Sequence, residues 1–233
     1  MKKPFLPHIL YEDNHLLVVE KPANLLSQGD ETGDPDLLTL LKEDLKERYQ
    51  KPGNVYLGLV HRLDRPVGGV MVFAKTSKAA ARLSEQVRQH LFKKTYLAVV
   101  YGKPEPSAAV LKHFLVKDQA SNTVKVVKGP TFEAKEAILN YIVVAEKERL
   151  SLVRIHLQTG RSHQIRVQMA AIGHPLFGDQ KYGADRAEPG QPIALWAMEV
   201  EFFHPITKEI VKFRLPPPTQ YPWNYFICNQ PVF

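Results

Sequence analysis

The 233-residue chain holds a single cysteine, Cys228, so it can form no internal disulfide and no cysteine-based metal cluster. That excludes the disulfide-stapled secreted scaffolds and fits a reducing cytoplasm. No apolar run approaches the roughly 18 residues that a membrane-spanning helix needs. The opening MKKPFLPH (Met1 to His8) has the charge of a signal-peptide start, but the apolar stretch of about seven or more residues that should follow is missing. His156, His163 and His174 have no metal-site spacing and no cofactor-binding motif is present, so neither metal nor cofactor is expected. Internal repeats and low-complexity tracts are also absent. The 44% hydrophobic content can bury a sizeable core, which excludes disorder as the main state.

Acidic residues are scarce in particular places. The chain has 31 Lys plus Arg against 24 Asp plus Glu, a formal charge of +7, and an isoelectric point near 9.3. From His61 to Lys103, nine basic residues (Arg62, Arg65, Lys75, Lys78, Arg82, Arg88, Lys93, Lys94, Lys103) face only Asp64 and Glu85, leaving +7. From Arg154 to Gly183, four bases face only Asp179, leaving +3, and the remaining chain nets −3. A merely soluble surface intersperses both signs, so concentrated bases point to a polyanion, most commonly nucleic acid.

Strand-like enrichment in β-branched and aromatic residues marks Leu16 to Val19, Gly69 to Ala74, Thr95 to Tyr101, Val110 to Val116, Ile138 to Ala145, Ser151 to Leu157, Ala194 to Phe203 and Ile210 to Leu215. Three segments have helical spacing. Asp36 to Tyr49 repeats Leu37, Leu41 and Leu45, with Asp36 or Asp34 as N-cap. Ser77 can cap a second helix with Ala80, Leu83, Val87 and Leu91 on one face. The third starts at Ser162, buries Ile165, Met169 and Ile172, and stops at Gly173. Strands broken by a few helices, without regular alternation, predict an α+β fold with a mixed, largely antiparallel sheet, in one domain over residues 1–233.

Three constellations could carry chemistry. In VHRLDRPVGGV (Val60 to Val70), Asp64 lies between two arginines in a glycine-rich turn stiffened by Pro66. Arg62 and Arg65 would favour its ionised form, a poor general acid but a usable nucleophile. The plainer reading is an aspartate that organises a turn. In Thr159 to Asp179, Ser162 opens a helix suited to phosphate, with Arg161 just outside it. His163 and Arg166 there share a polar face turned away from the helix's own apolar stripe. In KKTYLAVVYG (Lys93 to Gly102), Tyr96 is either a core tyrosine or a stacking platform for a base, two positions from Lys94.

The motifs HRLD (His61 to Asp64), KTYLAVVYG (Lys94 to Gly102), GRSHQIRVQ (Gly160 to Gln168) and GHPLFGDQKYG (Gly173 to Gly183) resemble, in order and spacing, those of the RluA-type RNA pseudouridine synthases. ILYEDNHLLVVEKPANLL (Ile9 to Leu26) resembles that family's first strand pair and Lys-Pro turn, and LWAMEVEFFHPITKE (Leu195 to Glu209) resembles a later segment. The likeness covers roughly Ile9 to Leu215. It implies a catalytic domain with a mixed sheet, flanking helices and an RNA-binding cleft, here without the S4 domain that some members carry.

By position, the resemblance makes Asp64 the catalytic aspartate, Tyr96 the tyrosine that stacks on the target uracil, and Arg166 the arginine that pairs with the aspartate. Leu195 falls where an apolar residue lies against the base, and Arg62 where a side chain enters the space the base vacates. Lys93, Lys94, Arg161 and Lys181 read as phosphate contacts, with His163 beside them on the substrate-binding side. Two departures stand out. The aspartate motif usually continues with Thr-Ser-Gly, whereas Val67-Gly68 lacks both hydroxyls; and Trp196 stands where histidine is usual.

The implied reaction is isomerisation of uridine to pseudouridine in structured RNA, ribosomal or transfer, without cofactor. Asp64 would act as a nucleophile at C1′ or as a base at C2′. The expected partner is RNA, with no membrane and no obligate protein partner, and the expected location is the cytoplasm. The rival readings are an RNA-binding protein without catalysis and a glycosylase that releases uracil.

Overall fold

A computed structural model describes residues 8–227; Cys228 and the first seven residues of the opening segment lie outside the described residues. In chain order, the first elements are β1 (Ile9–Glu12), β2 (Leu16–Lys21), α1 (Leu37–Arg48), β3 (Gly58–Leu59), β4 (Gly68–Ala74) and α2 (Ser77–Arg88). Next come β5 (Lys93–Tyr101), β6 (Ala108–Asp118), β7 (Thr123–Val127), β8 (Lys135–Lys147), β9 (Leu150–Leu157) and α3 (Gln164–Ala171). The last are β10 (Leu195–Phe203), β11 (Ile210–Arg214) and α4 (Asn224–Ile227). The architecture is α+β, with a mixed, largely antiparallel sheet and flanking helices, as the segment pattern predicts. All eight strand segments read from composition are strands. Of the other three, β1 was implied only by the resemblance, and the two-residue β3, too short to carry a periodic signal, and the five-residue β7 were not assigned.

By contacts the chain forms two units, residues 8–92 with Glu199–Leu215, and Lys93–Met198 with 216–227. In the first, the antiparallel pairs β1·β2 and β2·β4 put Val18 opposite Val72 and Lys21 opposite Gly69. One face of these strands, Leu16, Val18, Val70, Val72 and Ala74, packs with Ala79 and Leu83 of α2 and with Phe92, Val200 and Phe202. The alternate residues Leu17, Val19, Met71 and Phe73 are equally buried, so β2 and β4 read as continuous apolar runs rather than as alternating ones. Each such side chain removed from water contributes about 1.5–3 kcal/mol.

Asp36 caps α1, its carboxylate accepting the Thr39 N–H at 3.0 Å, as expected. For α2 the cap is Thr76, one residue before the expected Ser77. Its inward face is correspondingly Ala79, Leu83 and Gln86, and Leu91 lies beyond its end, exposed. Gln86 earns its inward position by a pair of amide hydrogen bonds to the Phe203 backbone, at 2.8 Å each.

The second unit carries the order β5-β9-β8-β6-β7, every pair antiparallel. Here α3 differs most from expectation. Its cap is not Ser162 but His163, in a left-handed conformation (φ 51°) with no side-chain capping bond. Residues 164–169 are all buried, so the helix has no solvent-facing polar stripe. Val167 packs with Leu115, Val124 and Ala137 of the sheet. Two glutamines fasten the helix to strand backbone: Gln164 Nε2 donates to Ile138 O at 3.1 Å, and Gln168 Nε2 donates to Ala137 O at 3.2 Å. Gly173, at φ 86°, ends the segment as anticipated.

Candidate active site

In the first unit, Asp64 stands on the connection from β3 to β4, in a turn closed by the Val67 N–H donating to Asp64 O at 3.0 Å. Three anchors hold this loop by its backbone. Ser27 Oγ donates to Leu63 O at 2.7 Å and accepts the Leu63 N–H at 3.2 Å. His61 Nε2 accepts the Val72 N–H at 3.1 Å, which makes its ring a structural acceptor. Lys21, at the end of β2 and 0% exposed, donates to Pro22 O at 3.1 Å, Arg65 O at 3.1 Å and Val67 O at 2.6 Å. Because the acceptors are main-chain carbonyls, the two hydroxyls missing at Val67 and Gly68 are not needed for this grip. Gly69, at φ 125°, supplies a conformation that other residues rarely adopt.

Arg65 turns to solvent, where its guanidinium pairs with Asp34 at 2.6 Å, and Arg62 is exposed. Lys21 is the buried cation whose charge is felt with that of Asp64. Burial pulls the Lys21 pKa from 10.5 to about 7, Asp64 opposes the shift, and Arg65 adds to it. Sequence reasoning quoted Lys21 only as part of a Lys-Pro turn. LLVV is closed by two charges, Glu20 and Lys21, and the only signal was strand alternation, which puts Lys21 on the same face as Leu17 and Val19.

In the second unit, Tyr96 lies on β5 opposite Ile155 of β9 and is only 6% exposed. Lys94 is half-buried two residues earlier, and burial lowers its pKa. A Cβ on Gly160 would sit 3.0 Å from its ammonium, so that glycine leaves room for the lysine. Leu195 is buried at the start of β10. The preceding Ala194 fixes its place, accepting the Val99 N–H at 3.0 Å and donating to Phe177 O at 2.8 Å. Arg161 is exposed, with Nε donating to Glu136 O at 2.9 Å.

Arg166 is 6% exposed, and its Nε and Nη2 fork onto the two oxygens of Asp179 at 2.8 and 2.7 Å. Asp179 is itself fully buried and also accepts the N–H groups of Lys181 and Tyr182 at 2.9 and 3.1 Å. Burial alone would raise its pKa, but the Arg166 fork, its charge and the two N–H groups hold it below the usual carboxylate value. The Tyr182 ring lies 5.2 Å from the Arg166 guanidinium; its hydroxyl accepts the Val124 N–H and meets His163 Nδ1, both at 2.8 Å. The polar face of α3 is therefore covered by the segment around Asp179 and Tyr182. Neither residue was a candidate from sequence, although Asp179 is the sole acid in its basic stretch, a usable signal.

A family model described as RNA pseudouridylate synthase matches residues 15–171. The chain belongs to that family. Among its relatives is the uncharacterised RNA pseudouridine synthase YhcT of Bacillus subtilis (strain 168), 37% identical over 213 residues, covering 90% of this chain and 68% of that one. The dual-specificity RNA pseudouridine synthase RluA of Vibrio vulnificus (strain CMCP6) is 33% identical, covering 84% and 78% respectively. The ribosomal large subunit pseudouridine synthase D of Nitrosomonas europaea is 34% identical, covering 90% and 62%. In fold, the solved human RNA Pseudouridylate Synthase Domain Containing 4 matches with a TM-score of 0.76 at 24% identity, over 91% of this chain and 88% of that one. This RNA pseudouridylate synthase is thus an RluA-type member of an isomerase family. Asp64, Tyr96, Lys94, Arg161, His163 and Arg166 fall inside the matched stretch; Asp179, Tyr182 and Leu195 follow it. No helix among the described residues is long and apolar enough to cross a membrane.

Proposed function

We propose that this chain isomerises uridine to pseudouridine in structured ribosomal or transfer RNA, in the cytoplasm, with Asp64 as the catalytic carboxylate and without a cofactor. The observation that supports the reading is an intact HRLD motif, inside the family match, on a loop gripped by a buried lysine. Several relatives are named for the large ribosomal subunit, which makes its RNA the first substrate to try.

The reaction breaks the bond from N1 to C1′, turns the uracil and joins C5 to C1′; the proton leaving C5 is balanced by one gained at N1. Asp64 acts on the ribose, as nucleophile at C1′ or as base at C2′. The target base must leave its stack, at a cost of a few kcal/mol. Stacking on Tyr96 offsets that, at about 1–3 kcal/mol. Leu195 gives the base an apolar neighbour, and Arg62 takes the space it vacates. Arg166, held by Asp179, is the residue that the family resemblance makes the partner of the catalytic aspartate. Lys94, Arg161 and His163 hold the backbone, which positions RNA without specifying its sequence. Water has to be kept from C1′ so that the sugar is not hydrolysed.

The test incubates wild-type protein and Asp64→Ala with large-subunit ribosomal RNA and with transfer RNA, then maps pseudouridine. The wild type should modify at least one of them; the variant should bind but leave RNA unmodified. A variant that still modifies refutes the role of Asp64. Wild-type binding without pseudouridine would mean a binding protein, and free uracil would mean a glycosylase. Isomerisation leaves RNA mass unchanged.

A further inference from the structure

The connection from β7 to β8 lies outside the basic stretches that pointed to RNA, yet it carries the most exposed large apolar side chain among the described residues. Val127 at the end of β7 pairs with Phe114, and Lys135 at the start of β8 pairs with Leu115. Residues 128–134 therefore cross the width of β6. Within them, the Ala134 N–H donates to Thr131 O at 3.0 Å, closing a four-residue turn. That turn holds the Phe132 ring wholly in solvent, at 106% relative exposure. A single exposed apolar side chain on a surface is ordinary, but this one is a full aromatic ring at the tip of a closed turn, contributing nothing to the core.

Its surroundings are basic. Lys125 on β7, Lys128 in the connection and Lys135 at the start of β8 are exposed, with Glu133 as the only acid in residues 128–134. The next acid, Glu136, is paired with Lys112 at 2.9 Å, and its carbonyl is where Arg161 docks. The loop is thereby continuous with a residue already assigned to phosphate. An exposed aromatic ring flanked along the chain by cations matches the way proteins hold unpaired bases, ring on ring with the backbone in a positive groove. An apolar anchor for a protein partner would not call for lysines on both sides.

We propose that residues 128–135 form a second RNA contact, in which Phe132 stacks on an unpaired base of the substrate while Lys128 and Lys135 take the flanking phosphates. This rests on the reading of the chain as an RNA-modifying enzyme. It adds a contact remote in sequence from Asp64 that helps to choose among RNA sites.

The experiment compares wild type, Phe132→Ala and Phe132→Trp for binding to large-subunit ribosomal RNA and to bulk transfer RNA at physiological salt, with pseudouridine scored in the same samples. Phe132→Ala should weaken binding to the substrate RNA by about 5- to 150-fold, the range found for removing a stacking aromatic, with its thermal unfolding midpoint unchanged. Phe132→Trp should restore affinity, and its fluorescence should be quenched on adding RNA, against a background of two buried tryptophans, Trp196 and Trp223. An active enzyme whose Phe132→Ala variant binds within about twofold of wild type, or whose introduced indole is not quenched by saturating RNA, overturns the proposal and leaves the ring to a protein partner. Failure of the functional reading looks different, as RNA binding without pseudouridine in the wild type.

Discussion

Lys21→Met, compared with the wild-type chain across pH, puts the buried ammonium beneath the aspartate loop to a quantitative test. Lys21 is 0% exposed, and burial lowers its pKa from 10.5 to about 7. Below the folded value the group is charged in both states, and the folded protein carries the full cost of burying it, about 5 kcal/mol for that difference in pKa. Between the two values the unfolded chain binds more protons than the folded one, so stability rises with pH until the unfolded lysine also loses its proton. Methionine matches the length of the side chain without its charge. It relieves that cost but strands three carbonyls, at about 1–3 kcal/mol each, so the two effects are of the same order near neutrality. The offset between the proteins is therefore uninformative, and the slope is decisive. The other groups that titrate within this window do so alike in both chains, so from about pH 6.5 to about pH 9.5 the wild type should gain about 3 kcal/mol on the variant. Urea unfolding followed by circular dichroism at matched pH measures this. Curves that run parallel to within about 0.5 kcal/mol would refute the depressed pKa and the reasoning built on it.

Two further substitutions probe the second unit. Asp179→Asn breaks the fork to Arg166 and leaves a buried guanidinium without its counter-charge, which should cost about 3–5 kcal/mol at neutral pH. Because Asp179 is held below its ordinary value of 3.8, its contribution is present above that pH and lost as pH falls through the folded value, so the gap should narrow in acid. A gap as wide at about pH 2 as at about pH 7 would mean that the fork is not the source. Gly178→Ala combines a positive φ of 73° with a Cβ placed 2.7 Å from the Pro192 carbonyl carbon and closer still to its oxygen. It should destabilise by more than about 3 kcal/mol, whereas Gly173→Ala, with open space at a similar φ, should cost about 1 kcal/mol. Equal costs at the two glycines would show that the Pro192 contact is relieved without strain.

Much of this protein was legible before its fold. Apolar β-branched runs located eight strands, because sheet burial favours such residues wherever they cluster. The Asp36 cap was readable because its hydrogen bond reaches only three residues along the chain. The ordered motifs identified the family and, with it, Asp64, Tyr96 and Arg166 as candidates, since residue type and spacing carry that likeness without coordinates.

What the linear pattern could not decide was which partners distant residues find. On α2 the cap lies one residue earlier than expected, and the inward face adds Ala79 and Gln86 to Leu83, while the expected Ala80 and Val87 are partly buried against the same core. The polar face of α3 could be placed from sequence only as turned away from the apolar stripe, because its cover, Asp179 and Tyr182, arrives from 13 and 16 residues beyond Arg166. Lys21 reaches carbonyls 44 and 46 residues away only because the register of β2 on β4 brings Lys21 beside Gly69. Sequence alone determined the family and the chemistry available to it, through motifs that are local. Tertiary structure alone decided which charges are buried and by what they are held, because desolvation and hydrogen bonding depend on neighbours in space, and strand register sets those neighbours.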